Sequence, residues 1–366
     1  DGQRADGAFP DVAPDVLSAH AEHPLGNAAW ADAGVICPWM IYWLYGETSI
    51  LEENYAAMVR WIDFQERTSN DLRRPATVFG DWLAIDAVEP QHAPVPSDLV
   101  GTAYFARTSE LMARIARVLG RREDAKRFRK LHAGIVRAFR REYVSPGGRV
   151  VGDCQTGYLL ALAFDLLPES QRPRALERLV ELIRVRDWHL TTGFVGTPLL
   201  CPVLSRFGRL DVAYKLLLQD SYPSWLYPLR NGATTIWERW DSYTPERGFG
   251  PVEMNSFNHY AYGAVGEWMY GHLGGLRAHS PGYREILVAP EPGGGITWAR
   301  TTLETPQGSA SCAWSLASNG RQLQLSFRVP DGSAARVRLP DGFSSKAVSA
   351  DSRFQPGDHA LTATRD

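Results

Sequence analysis

The sequence predicts a mainly α-helical domain followed by a small antiparallel β-sandwich. Three observations carry this. Apolar residues recur at three- and four-residue steps through most of the first 276 positions, and the period falls to two beyond that point. The helical stretches come in pairs joined by short turns, and long polar loops separate the pairs. That alternation describes a toroid of helical hairpins better than a bundle, with the long loops gathered where a rigid scaffold can present functional groups. About nine helices are expected against the twelve of a closed six-hairpin toroid, so the ring is expected to be incomplete.

Residues 1–30 read as loop, punctuated by Pro10, Pro14 and Pro24 and by Gly2, Gly7 and Gly26. From Trp30 a helical stripe of Val35, Ile36, Trp39, Met40, Trp43 and Leu44 runs to Gly46, a C-terminal stop. Thr48 then stands as an N-cap for a helix carrying Leu51, Tyr55, Met58 and Ile62. Residues 69–97 form a Pro-rich loop containing Phe79-Gly80-Asp81-Trp82. Helix pairs follow at about 98–119 with 122–142, 155–167 with 168–186 and 195–207 with 209–219, and a last helix at 255–274. Gly120, Gly208 and Gly274 mark ends, and Pro168 suits a helix start. Short alternating runs at 286–288, 296–300, 311–316, 322–327 and 335–339 are the strands, with turns at 293–295, 319–320 and 331–332. The expected division is therefore 1–276 and 277–366, the second part serving to pack on the first.

At 366 residues, 44% hydrophobic and 22% charged, the chain has the composition of a globular protein with an ample core. A net charge of -2 argues against nucleic acid or an anionic membrane as partner. There is no apolar run long enough to span a bilayer and no visible signal peptide, which favours a cytoplasmic over a secreted location. The opening residues read like the middle of a loop, so the chain is expected to be part of something longer. The four cysteines form no CxxC motif, and Cys37 and Cys201, each followed by Pro in an apolar run, read as buried thiols. The nine histidines show no paired ligand spacing and no Asp-rich calcium loop is present, so no metal or other cofactor is expected. GxSxG, P-loop and dinucleotide fingerprints are likewise absent, which leaves serine-nucleophile, phosphoryl-transfer and hydride chemistry without support.

The chemistry concentrates in Thr234-Thr235-Ile236-Trp237-Glu238-Arg239-Trp240-Asp241 and, thirteen residues on, in Met254-Asn255-Ser256-Phe257-Asn258-His259-Tyr260. A pyranose has an apolar face and a rim of hydroxyls. Indoles such as Trp237 and Trp240 suit the face, while carboxylate, amide and imidazole groups suit the rim. Carbohydrate is the indicated substrate class, with Glu238 nearest the chemistry. The plainer reading of Glu238 is a loop ion pair, of Trp30 and Trp82 core tryptophans, of His259 a helix-start residue, and of Asp241 a loop-fixing acid. Asp32, Asp81, Asp86, Asp153 and Glu253 are secondary acids that read first as caps or loop residues, Asp81 being the best placed to bind a hydroxyl.

Several motifs fall in one consistent order: Trp30-Ala31-Asp32-Ala33, Pro38-Trp39 with Tyr42, Phe79-Gly80-Asp81-Trp82, Gln155-Thr156, Thr192-Gly193-Phe194-Val195-Gly196-Thr197, 233–241, 254–268 and Tyr283-Arg284-Glu285-Ile286. In that order the chain resembles the bacterial α-L-rhamnosidases of glycoside hydrolase family 78 over essentially its whole length. The resemblance implies an (α/α)6 barrel followed by a β-sandwich, and removal of terminal α-L-rhamnose from rhamnosides with inversion. It implies Glu238 as the general base and Trp30, Trp82 and His259 as pocket residues. Inversion needs a second carboxyl, the acid, roughly 6.5–9.5 Å from the base so that water fits between substrate and base. The family's acid lies in an Asp-Glu-Arg motif that this sequence lacks, so it is expected upstream of Asp1. Two other readings stand beside this one: a non-catalytic sugar-binding fragment, and an (α/α)6 glycosidase for another sugar. The oligomeric state is open.

Overall fold

The structure, a computed structural model, describes residues 2–17, 26–349 and 352–365. The expected loop position Pro24 lies outside the described residues. Two compact units emerge, Asp1–Trp39 with Ser49–Gly263, and Met40–Thr48 with Ala264–Asp366.

The first unit is built of helical hairpins. Its helices are α1 (Ala33–Tyr45, whose last residues belong to the second unit), α2 (Ser49–Arg67), α3 (Ser97–Val118), α4 (Arg122–Tyr143), α5 (Gln155–Ala163), α6 (Arg172–Arg184), α7 (Thr197–Arg206), α8 (Leu210–Leu217) and the short α9 (Leu226–Arg230). Hairpin partners pack as α3 with α4, α5 with α6 and α7 with α8, while alternate helices also touch, α3 with α5 and α5 with α7. Sequence explains which helix lies inside. Helix α5 is buried from Gln155 to Leu162 without interruption, and α3 buries residues all around its circumference. Helix α4 buries only Phe128, Leu131, Ile135, Phe139 and their neighbours, and its arginines face solvent. A helix apolar on every side belongs within; an amphipathic one belongs on the perimeter. Gly120, at φ +71°, ends α3 in the left-handed region and lets the chain reverse into α4.

Three expectations change here. The single helix at 255–274 is replaced by an irregular stretch to residue 260, a 3₁₀ turn at Ala261–Ala264, the four-residue α10 (Val265–Trp268) and a π turn at Met269–Leu273. Glycines at 263, 266 and 271 weaken helix there, and the backbone before 260 pairs elsewhere, as described below. Pro168 starts a 3₁₀ turn (Glu169–Gln171) that leads into α6. Cys37 is exposed on α1, although Cys154, Cys201 and Cys312 are buried. A stretch around 226–249, not assigned from sequence, holds α9 and a two-residue hairpin of β1 (Tyr243–Thr244) and β2 (Gly248–Phe249).

The second unit contains two four-stranded sheets. One runs β10-β7-β6-β5, comprising β5 (Trp298–Thr305), β6 (Gly308–Leu316), β7 (Gln322–Val329) and β10 (Gly357–Thr364), all antiparallel. The other runs β3-β4-β8-β9, from β3 (Leu276–Ala278), β4 (Glu285–Val288), β8 (Ala334–Val337) and β9 (Arg353–Phe354). The strict alternation of β7, buried at Leu323, Leu325, Phe327 and Val329, shows the period-two pattern directly. The sandwich is not purely antiparallel, because β4 and β8 pair in parallel. The chain crosses to the other sheet for β5 to β7 before returning, and that crossover permits the parallel pair. Ile286 and Val288 from one sheet meet Cys312, Trp314 and Leu325 from the other in a shared core. The Trp314 indole N–H donates to the Leu273 carbonyl at 2.7 Å, so the one buried donor of that ring is satisfied.

Among the described residues no helix is long and apolar enough to cross a membrane. The packing logic of α4 gives a direct test. Phe139→Ala, at a fully buried position, is expected to cost about 3–5 kcal/mol in urea unfolding, whereas Arg137→Ala on the exposed face stays within about 0.5 kcal/mol.

Candidate active site

Glu238 lies on the irregular stretch after α9, and that stretch is zipped to residues 256–259. The Glu238 N–H donates to the Ser256 carbonyl at 2.9 Å and the His259 N–H to the Ile236 carbonyl at 2.9 Å. The Thr235 hydroxyl adds a bond to the Phe257 carbonyl. This pairing is why 255–260 is not helical. It also points the Ser256 N–H at Glu238, which accepts it on Oε2 at 2.9 Å. Oε1 has no hydrogen-bond partner among the described residues, and the side chain is half-buried. One carboxylate oxygen is thus fixed and the other is open.

The cations near Glu238 are engaged with Asp241. Arg239 Nε donates to Asp241 Oδ1 at 3.3 Å, and Arg247 Nη2 to Oδ2 at 2.6 Å. Burial acts to raise the Asp241 pKa, but the two guanidiniums outweigh it and hold the carboxyl below the usual range. Asp241 therefore fixes the loop, in line with its plainer reading. Ser242 completes the turn: its hydroxyl accepts from the Arg239 N–H at 3.2 Å, and its carbonyl accepts from Asn255 Nδ2 at 3.0 Å.

The aromatic residues divide by exposure. Trp30, Phe79 and Trp82 are partly open and touch in series, with centroids 4.7 Å apart for Trp30 and Phe79 and 5.5 Å for Phe79 and Trp82. Phe194 and His259 are also partly open, 4.9 Å apart. Trp237 and Trp240, by contrast, are only 6% and 3% exposed. Trp237 packs edge-on to Phe257, and Trp240 stacks at 3.9 Å on Tyr262, itself fully buried. The two indoles flanking Glu238 anchor its loop in the core, a correction to the expectation that they cover a sugar.

The Trp30 turn is held from both sides. The buried Asn27 accepts the Val78 N–H at 2.9 Å, tying the turn to the Phe79 loop. Asp32 accepts the Ala29 N–H at 2.9 Å on one oxygen and the Trp61 indole and Gln65 amide on the other, at 3.0 and 3.1 Å. Ala29 sits at φ +72°, a strained position for a residue with a Cβ, and the Asp32 bond stabilises it. Asp32 is completely buried, and desolvation pushes its pKa from 3.8 up to about 6 against the hydrogen bonds that favour the anion.

Asp81 departs most from expectation. It is wholly buried, and it accepts four hydrogen bonds: from Thr156 Oγ1 at 2.5 Å, Gly193 N at 2.9 Å, Val195 N at 2.8 Å and Gly196 N at 3.1 Å. With every oxygen already used, Asp81 has none to offer a sugar hydroxyl. Asp153 is held by Arg178 through bonds of 3.1 and 2.7 Å, and Glu253 is exposed on a 3₁₀ turn. Asp86 is partly buried, and desolvation raises its pKa against a hydrogen bond to Thr191. Among the described residues no three His, Cys, Asp or Glu side chains are placed to hold a metal ion. A cavity of about 170 Å³ lined by Leu83, Pro90, Tyr222, Arg239, Trp240 and Tyr262 adjoins the loop, but Glu238, Trp30, Trp82 and His259 do not line it.

Backbone bonds bring the predicted residues together. Phe194 N–H donates to the Trp82 carbonyl at 2.9 Å, the Phe194 ring meets His259, and His259 is bonded to Ile236, two residues from Glu238. Trp30, Trp82, His259 and Glu238 are thereby linked through Phe79 and Phe194. Neither phenylalanine was singled out from sequence, although both sit inside motifs that were. A family model for the bacterial alpha-L-rhamnosidase 6 hairpin glycosidase domain matches residues 1–273, and one for the bacterial alpha-L-rhamnosidase C-terminal domain matches residues 275–353. The chain belongs to the bacterial α-L-rhamnosidase family.

Within this α-L-rhamnosidase family, a protein of Streptomyces avermitilis named alpha-L-rhamnosidase is 45% identical over 342 residues, 93% of this chain and 32% of that protein. The crystal structure of a Streptomyces avermitilis alpha-L-rhamnosidase complexed with L-rhamnose superposes with a TM-score of 0.90 at 42% identity, covering 98% of this chain and 35% of that one. The native enzyme from Aspergillus terreus also gives a TM-score of 0.90, at 34% identity, over 98% of this chain and 41% of that one. The fold is that of the six-hairpin glycosidase domain, and the chain spans about a third of the length of the curated relatives it matches.

The Asp32 environment has a signed consequence. Its folded pKa of about 6 exceeds the usual 3.8, so the folded state takes up a proton more readily than the unfolded chain. The stability this contributes is complete below about pH 3.8 and lost as pH rises through 6, a change of about 3 kcal/mol. In denaturant titrations between pH 4 and 7, the stability difference between wild type and Asp32→Asn is expected to shift by about 2 kcal/mol. A constant difference contradicts the assignment.

Proposed function

We propose that this chain carries the general-base half of an inverting α-L-rhamnosidase that removes terminal rhamnose from rhamnose-containing glycosides. The observation supporting this most directly is the Glu238 carboxylate, anchored through Oε2 by the Ser256 N–H and open at Oε1. A base of this kind needs one oxygen fixed for direction and one free to take a proton from water. Trp30 and Trp82 supply apolar faces for the deoxy-sugar, and His259 a polar group for its rim.

The acid comes from outside residues 1–366 in this reading. Of the acids in this chain, Asp32, Asp81 and Asp153 are bound by the chain's own donors, and Asp241 lies between two guanidiniums. Protonation of the leaving oxygen matters only when the leaving group is poor. A dinitrophenolate departs without help, so a dinitrophenyl α-L-rhamnoside isolates the base half, while a methyl rhamnoside demands both.

The chain is expected to hydrolyse the activated substrate and to leave the methyl glycoside intact. Glu238→Gln, which keeps shape and an acceptor for Ser256, should lower turnover of the activated substrate by about 10²–10⁴-fold without unfolding the protein. An unchanged rate in that variant removes Glu238 as base. Calorimetric binding of L-rhamnose without turnover of either substrate supports the sugar-binding fragment instead, and a panel of dinitrophenyl glycosides decides the sugar.

A further inference from the structure

The geometry points to Asp81 as a positioning residue that sets the distance between the Trp82 platform and the wall formed by Phe194 and His259. This deepens the proposed function and rests on the reading of Trp30, Trp82, His259 and Glu238 as the rhamnose site.

The structural argument starts from direction. Asp81 precedes Trp82 in the chain, and its side chain turns away from the platform into the core, where it gathers three backbone N–H groups of one loop, at Gly193, Val195 and Gly196. Those amides converge on a single carboxylate, so the loop wraps around Asp81. The wrapped loop then touches the Asp81 segment a second time through its backbone, with Phe194 N–H on the Trp82 carbonyl and Ile85 N–H on the Thr191 carbonyl, both at 2.9 Å. Between these contacts there is no room for a side chain: a Cβ at Gly193 would collide with the carbonyl oxygens of Trp82 and Asp81, and one at Gly196 with Thr156 Oγ1. Thr156 on α5 closes the arrangement by donating its hydroxyl to Asp81, which ties both loops to a fully buried inner helix. The outcome is that Phe194, whose ring bears on His259 and Tyr262, is held at a fixed offset from Trp82.

Four donors and no acceptor surround the carboxylate, a set that matches an anion and not an amide. Asp81→Asn would set an NH2 group against a donor and is expected to misplace both loops or to fold poorly. Thr156→Val is the milder probe, since it removes one donor and keeps the volume, and Thr156→Ser restores the hydroxyl.

The test measures hydrogen exchange of the full chain by mass spectrometry together with calorimetric titration of L-rhamnose, for wild type, Thr156→Val and Thr156→Ser. In Thr156→Val, exchange is expected to quicken at residues 79–84 as well as 192–197 while α3 keeps its protection, and the rhamnose Kd to rise about tenfold. Thr156→Ser should return both readouts to within about twofold of wild type. Unchanged exchange at 79–84 in the Val variant overturns the inference, as does faster exchange there with an unchanged Kd. Should the wild type itself fail to bind rhamnose, the proposed function falls, and the exchange data alone decide whether Asp81 couples the two loops.

Discussion

A carboxylate buried away from bulk solvent holds the site together. Burial pushes the Asp81 pKa upward in spite of the four hydrogen bonds that oppose it, so the donors do not recover all that hydration would supply. Asp81 nonetheless pairs four donors that its removal would leave unmatched. Its effect is geometric: four bonds in different directions leave the loops 81–85 and 191–197 one relative placement. Asp32 works in the same way one turn from Trp30, buried and pushed to about 6, holding the backbone of Ala29 in its strained conformation. Each buried acid stands within two residues of a partly exposed indole, Trp30 or Trp82.

The Glu238 loop is held by different means. Its anchors are the aromatic rings of Trp237 and Trp240, seated on Phe257 and Tyr262, and the ion pairs of Asp241 with Arg239 and Arg247. Sequence neighbours on either side of the carboxylate are thereby consumed in holding it, and of the two carboxylates in residues 237–241 Glu238 alone keeps an oxygen free of partners among the described residues. Because Ser256 reaches Glu238 through its backbone, the orienting donor does not depend on which side chain stands at 256.

Much of this was legible in the sequence, and the failures have physical causes. Hairpins α3–α4, α5–α6 and α7–α8 followed from apolar periodicity and glycine stops, because packing and local propensity agree there. Periodicity reads the segment 255–260 as helix, whereas its backbone bonds go to residues 235–238, a long-range pairing that periodicity does not show. Glu238, Trp30, Trp82 and His259 were recognisable as residue types in an ordered set of motifs, and the structure links them. Asp81, Trp237 and Trp240 are recognisable as important but not as buried: whether a polar or aromatic residue in a loop is open or buried is set by tertiary contacts. Phe79 and Phe194 went unmarked since phenylalanine carries no chemistry of its own, though both join the parts of the site.

The account makes Glu238 a base that acts through water, and an open carboxylate oxygen at the same place could also attack the sugar directly. The two routes differ in the stereochemistry of the first product. Proton NMR of the dinitrophenyl α-L-rhamnoside reaction, recorded before mutarotation, reads it. The account predicts β-L-rhamnose as the anomer formed first; α-L-rhamnose appearing first would contradict it and make Glu238 a nucleophile.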